Sequence, residues 1–211
     1  MTWATDMGSI LLTAFEPFGG DGINPTQLVL ETLPEELFGA QIHKLLLPVE
    51  FKRAAALTLD AALRTEPDCV ICLGQAGGRA SVTPELWGKN VMDARIPDNA
   101  GYQPKGEAIV PGGPDKLRSR LPVWDIIAHI RREGLPAQIS YSAGEYVCNS
   151  LLYGVLYGLC ESVPAGFIHV PFIREQVEGV PGREKTPFME LDDITRAVRL
   201  AAEAAVKRTI G

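Results

Sequence analysis

Short apolar runs of strand length alternate with segments of helical period along most of this chain, and no other feature restricts the fold as strongly. SILLTAF (9–15) is followed by NPTQLVLETL (24–33), where Asn24 stands ready to cap and Pro25 takes the first helical position. AQIHKLLLPV (40–49) predicts a second strand, FKRAAALTLDAALRTE (51–66) a helix and DCVICLGQA (68–76) a third strand. Further on, VWDIIAHIRREG (123–134) reads as a helix ended by Gly134, and AQISYS (137–142) as another strand. A helix over 146–160 and a strand in AGFIHVPF (165–172) come next. In the closing segment Leu191, Ile194, Val198, Ala202 and Val206 keep a helical period, with Lys207 and Arg208 suited to its C-terminal dipole. This rhythm predicts an α/β/α sandwich whose largely parallel, twisted sheet carries helices on both faces.

With 211 residues, 46% of them hydrophobic, the chain can bury one substantial core. A single α/β domain is therefore expected over 9–211, behind a leader of residues 1–8. That leader carries Asp6 rather than a basic stretch, so no signal peptide is expected. Residues 77–115 break the rhythm with Gly, Pro, Asp and Asn, as in NVMDARIPDNAGYQPKGEAIVPGGP, and predict a functional loop-and-hairpin excursion.

Formal net charge is −6 with no stripe of Lys and Arg, which argues against nucleic acid as a partner. No apolar run approaches the roughly 20 residues needed to span a bilayer, so no membrane partner is expected. Cys69, Cys72, Cys148 and Cys160 are too scattered for a disulfide framework, and reduced thiols in a cytoplasm are expected. Cys69 and Cys72 form a CxxC, yet strand positions i and i+3 face opposite ways and no second ligand pair accompanies them. No metal and no cofactor is expected. FGGDG and GQAGGR match neither a P-loop nor a dinucleotide fingerprint.

Ligands of open parallel sheets bind beyond the carboxyl ends of the strands. One such end, SAGEYVC, delivers Cys148 into the first turn of a helix. Unpaired amides there stabilise a thiolate, so a lowered thiol pKa is expected. The alternative is a small hydrophobe on the core side of that helix. Of the three histidines, His43 lies inside a strand and His129 inside a helix. His169 falls at a strand's carboxyl end, one crossover after Cys148, where it could take the thiol proton and return it to a leaving amine. An acid should orient the imidazole, and spacing leaves Glu16, Glu85 and Asp93 open.

TAFEPFGGDGINPT, LGQAGGR, NVMDARIPDN, SAGEYVCN and GFIHVPFIREQ, in that order from about residue 10 to 176, together resemble the pyroglutamyl-peptidase I (pyrrolidone carboxyl peptidase) family. The resemblance implies a cofactor-free cytosolic cysteine peptidase, commonly a homotetramer, that releases N-terminal pyroglutamate from peptides. Carried over, it makes Cys148 the nucleophile, His169 the general base and Glu85 the acid. It puts Arg95 beside the oxyanion with the Cys148 amide, and Phe15, Phe18, Asn24 and Gln75 around the substrate ring. Ala14, Pro84, Trp87, Tyr141 and Glu145 depart from the family's usual residues. A carboxylate at 145 turned inward would raise the thiol pKa. Two rival readings stay open: an inactive relative that binds or assembles, and a phosphate-dependent transferase on a phosphorylase-like version of the fold.

Overall fold

A computed structural model describes residues 8–209, with side chains to Val206. The expected leader lies outside the described residues except for Gly8, whose carbonyl accepts from the Gln41 amide. The side chains of Lys207 and Arg208 also lie outside them.

The strands are β1 (Ser9–Phe15), β2 (Glu36–Leu37), β3 (Ala40–Leu47), β4 (Cys69–Gln75), β5 (Thr83–Pro84), β6 (Trp87–Lys89), β7 (Met92–Asp93), β8 (Lys105–Glu107), β9 (Lys116–Arg118) and β10 (Ala165–Val170). The helices are α1 (Pro25–Thr32), α2 (Arg53–Thr65), α3 (Val123–Arg132), α4 (Val147–Gly158) and α5 (Leu191–Thr209). Six strands form one sheet in the order β2-β3-β1-β4-β10-β5. The four inner strands run parallel, and β2 and β5 close the two edges antiparallel. This is the expected α/β architecture. Among the described residues no helix is long and apolar enough to cross a membrane.

Alternate residues of each inner strand feed two cores. Ile10, Leu12, Ile71, Leu73 and Ile168 pack under α1, α3 and α5, whereas Leu11, Val70, Cys72 and Phe167 pack under α2 and α4. Burying one aliphatic side chain contributes about 1.5–3 kcal/mol, so both faces bind their helix layers firmly. The CxxC is split by the same alternation. Cys69 lies in the first core and Cys72 in the second, and burial pushes both thiols up to about 12.

The helix signals act as expected at α1: Asn24 Oδ1 accepts from the Thr26 amide at 3.0 Å, and Pro25 opens the helix. One expected strand does not form. Residues 137–142 make only isolated bridges, Val82 to Ala137 and Glu85 to Ser140, and β5 takes the edge beside β10 instead. The reason is donor supply. Pro84 has no amide to give, so Val82 and Leu86 alone donate to Pro136 and Ser140 on that side, and a continuous ladder cannot close.

The expected excursion over 77–115, with β9 just beyond it, forms β5 and two small sheets, β6 with β9 and β7 with β8, laid against α4. Two side-chain amides pin them, the buried Asn149 and the half-buried Asn90. Asn149 on α4 donates to Lys89 and Val91 carbonyls and accepts from the Lys89 amide, all at 2.9 Å. Asn90 likewise bonds Val110 in both directions and donates to the Gly113 carbonyl.

Candidate active site

The carboxyl ends of β4 and β10 set the site. Gly74 on β4 stands in register with His169 on β10. A Cβ at Gly74 would lie 2.5 Å from Phe167 Cζ and 3.0 Å from Cys148 Sγ. Glycine therefore leaves the space in which the sulfur lies over β4, beside the strand that carries the imidazole. Phe167 shares that face, its ring centroid 4.7 Å from the His169 ring.

Cys148 is the second residue of α4. Gly144, at φ +78°, makes the left-handed turn that aims this helix at the rim, a conformation other residues adopt only with strain. The first amides of a helix have no i−4 carbonyl, so the Cys148 N–H faces the site rather than the helix interior.

Glu85 follows β5 and is fully buried. Its Oε1 lies 2.7 Å from His169 Nδ1 and accepts from Arg79 Nη1 at 2.8 Å. Burial acts to raise the Glu85 pKa, but the His169 hydrogen bond and charge, the Ser140 hydroxyl and Arg79 outweigh it, and the net shift is downward. An ionised carboxylate only accepts, so the proton of the pair sits on His169 Nδ1. Burial, opposed by Glu85 and helped by Arg79, holds the His169 pKa below its ordinary value. The resting imidazole is neutral, and its Nε2 has no hydrogen-bond partner among the described residues.

The thiol behaves differently from the sequence expectation. Burial first, and then the Glu85 charge, push Cys148 up to about 12, against the pull of Arg79 and of its own backbone N–H. Although Cys148 is only half-buried, desolvation outweighs the helix terminus and favours the thiol form at rest. Glu145 does not add to this. It is 42% exposed and turns to Lys89, with Oε1 3.6 Å from Nζ.

In front of α4 lies a pocket of about 290 Å³ lined by Phe18, Asp93, Arg95, Ile96, Gly144, Glu145 and Tyr146. Tyr146 packs edge-on against Phe51 and donates its hydroxyl to the Pro97 carbonyl at 2.9 Å. Phe18 and Arg95 thus reach this pocket. The Arg95 side chain forms no ion pair with Asp98, whose carboxylate accepts instead from the Phe51, Ala100 and Tyr102 amides. Phe15 is 2% exposed inside the core under α2 and α4. Asn24 spends its side chain on Thr26 and the Glu16 carbonyl. Gln75 Oε1 accepts from Gln176 Nε2 at 2.8 Å. Of the other acids left open by spacing, Asp93 lines the pocket and Glu16 is exposed.

Arg79, Gly74, Ile96 and Tyr146 were not singled out by spacing. The signals available for them were weak: a glycine near a strand's carboxyl end, and an aromatic two residues before the cysteine.

Residues 8–208 match the pyroglutamyl peptidase family. Over 202 residues the chain is 45% identical to a pyrrolidone-carboxylate peptidase of Lactobacillus johnsonii, covering 94% of this chain and 93% of that one. It is 42% identical over 201 residues to pyrrolidone-carboxylate peptidase 1 of Caldanaerobacter subterraneus subsp. tengcongensis, covering 94% and 98%. The crystal structure of pyroglutamyl peptidase I from Bacillus amyloliquefaciens superposes with a TM-score of 0.90 at 40% identity, covering 96% of this chain and 98% of the other. With its sheet, its match and its relatives spanning nearly the whole chain, this protein belongs to the pyroglutamyl peptidase I family of cysteine peptidases.

Proposed function

We propose that Cys148, His169 and Glu85 carry the family's reaction here, the removal of N-terminal pyroglutamate from a peptide. Two observations support this reading: the buried Nδ1 to Oε1 contact of 2.7 Å, which leaves the opposite ring nitrogen free of a partner among the described residues, and the Cys148 sulfur lying over Gly74, the register partner of His169. Sγ attacks the pyroglutamyl carbonyl carbon while its proton passes to His169 Nε2. The carbonyl oxygen becomes an oxyanion held by the Cys148 N–H and, as we assign it, by Arg95 at the pocket rim. One such donor is typically worth about 10²–10³ in rate. The carbon–nitrogen bond then breaks, and Nε2 gives its proton to the leaving amine. Water, deprotonated by the same nitrogen, attacks the thioester; the carbon–sulfur bond breaks, pyroglutamate leaves and the thiol is restored.

Because the thiol pKa is raised, the sulfur depends on Nε2 rather than on the helix terminus to take its proton. We assign the lactam ring to the pocket before α4, with Phe18, Ile96 and Tyr146 as apolar faces and Gln75 as a polar neighbour. Tyr146 takes the place that Phe15 was expected to fill. All four cysteines are free, which supports a reducing, cytoplasmic setting. The homotetramer implied by the resemblance is tested by sedimentation. Glu145, turned toward Lys89, removes one motive for an inactive relative.

The test is release of fluorophore from a pyroglutamyl amide, with a prolyl amide as control and no added phosphate. Turnover of the first alone supports the reading. No turnover, dependence on phosphate, or equal turnover of both amides overturns it.

A further inference from the structure

Arg79 enters the site from the loop after β4. Its Nη1 donates to Glu85 Oε1 at 2.8 Å and also to Thr83 Oγ1, and its Nη2 donates to the Ser142 carbonyl at 3.3 Å. These acceptors belong to two separate segments. Residues 83–85 carry the acid, and residues 142–144 form the turn that delivers Cys148. The Thr83 hydroxyl in turn donates to the His169 carbonyl at 3.4 Å, so β10 joins the same arrangement. A guanidinium suits this position because it stays charged and its donors are fixed in a plane.

The chemical consequence follows from burial. The Glu85 side chain is 0% exposed, whereas Arg79 is 24% exposed and reaches in from the rim. A buried carboxylate deprived of a counter-charge takes up a proton. Protonated Glu85 would offer O–H to Nδ1, and the imidazole would then carry its own proton on Nε2. In that tautomer it cannot accept the proton from sulfur.

We propose that Arg79 is a positioning residue of this site: it keeps Glu85 an acceptor-only carboxylate aimed at His169, and so holds the imidazole proton on Nδ1 and leaves Nε2 open to the Cys148 proton. The inference rests on the roles given to Cys148, His169 and Glu85 above. The titratable and charged groups acting on His169 are Glu85 after β5 and Arg79 from the β4–β5 loop; the same two act on Cys148 of α4, with Cys72 of β4 beside the thiol. Removing Arg79 raises the Glu85 pKa and also the His169 pKa, since its charge acts to lower both. Both changes move the acid limb of the pH profile to higher pH.

The experiment measures kcat and KM on a pyroglutamyl amide from pH 5 to 9 for the full chain, Arg79→Lys and Arg79→Met, with Glu85→Gln and Cys148→Ser in parallel. Arg79→Met is expected to lower kcat by about 10²-fold, short of the ~10⁴-fold loss that follows a wrong imidazole tautomer. Its acid limb moves up by about one pH unit while KM stays within about twofold, since Arg79 lies outside the ring pocket. Arg79→Lys, which keeps the charge but not the fork, restores the limb and only part of kcat. An unmoved acid limb in Arg79→Met overturns the inference, whether kcat is unchanged or falls in step with folded protein measured by thermal melting. Full turnover by Cys148→Ser or Glu85→Gln would sink the underlying triad instead.

Discussion

Among the described residues two histidine–glutamate pairs occur, and only one of them leaves a ring nitrogen without a partner. Between α3 and α5, His129 Nε2 lies 2.9 Å from Glu203 Oε2, and Nδ1 faces the Arg132 guanidinium at 3.5 Å. Those side chains are 18% and 16% exposed, against 4% and 0% for His169 and Glu85. Both ring nitrogens of His129 are engaged. His169 spends Nδ1 on Glu85 and keeps Nε2 open. Distance does not separate the pairs, since 2.9 and 2.7 Å are both good hydrogen bonds. What separates them is the second nitrogen, the depth at which the carboxylate is held ionised, and the glycine that lets a sulfur approach.

The sharpest way to break this comparison is to delete each ring. His169→Ala is expected to lose at least about 10³-fold in kcat/KM across the neutral range, as is Cys148→Ser, with the circular dichroism of the fold unchanged. Comparable activity in either variant would put the chemistry elsewhere in the molecule.

Gly74→Ala should come next. The added methyl meets Phe167 and the sulfur, and a displacement of the order of 1 Å at a nucleophile can remove about 10²-fold in rate. Overpacking adds a loss of about 1–3 kcal/mol in stability, read from denaturant midpoints. A fully active, fully stable Gly74→Ala would show that the close approach is not needed.

Acid titration gives a smaller effect. The folded-state pKa values of Glu85 and His169 both lie below their ordinary values of 4.5 and 6.5. The unfolded chain therefore binds more protons, first at His169 below about pH 6.5 and then at Glu85 below about pH 4.5, and stability falls as pH falls through those windows. His169→Gln should flatten the upper part of that decline, and an unchanged slope would mean that the imidazole is not held neutral by burial. The smallest effect is expected for His129→Ala, which should leave kcat/KM within about twofold and cost about 1 kcal/mol or less.

Much of the fold could be read along the chain because continuous apolar runs and period-3.6 patterns report burial directly, as in CVICLGQ, buried from Cys69 to Gly74, and RAAALTLDAALRT. Residues 137–142 read as a strand but form only isolated bridges, because a ladder there depends on the donors of a distant segment containing Pro84. Cys148, His169 and Glu85 were legible as types at strand ends, and the choice of Glu85 over Glu16 and Asp93 came from family resemblance rather than spacing. Arg79 stayed hidden, since an arginine in a glycine-rich loop carries no local sign of its partner.

The sequence by itself determined the layered α/β architecture, the division of Cys69 from Cys72 and the delivery of Cys148 to a helix start, because each follows from local periodicity and turn chemistry. The tertiary structure alone decided that burial raises the Cys148 thiol pKa, that one Glu85 oxygen serves both His169 and Arg79, and that Tyr146 rather than Phe15 lines the pocket. Those outcomes depend on desolvation and strand register, which join residues as far apart as the 84 positions between Glu85 and His169.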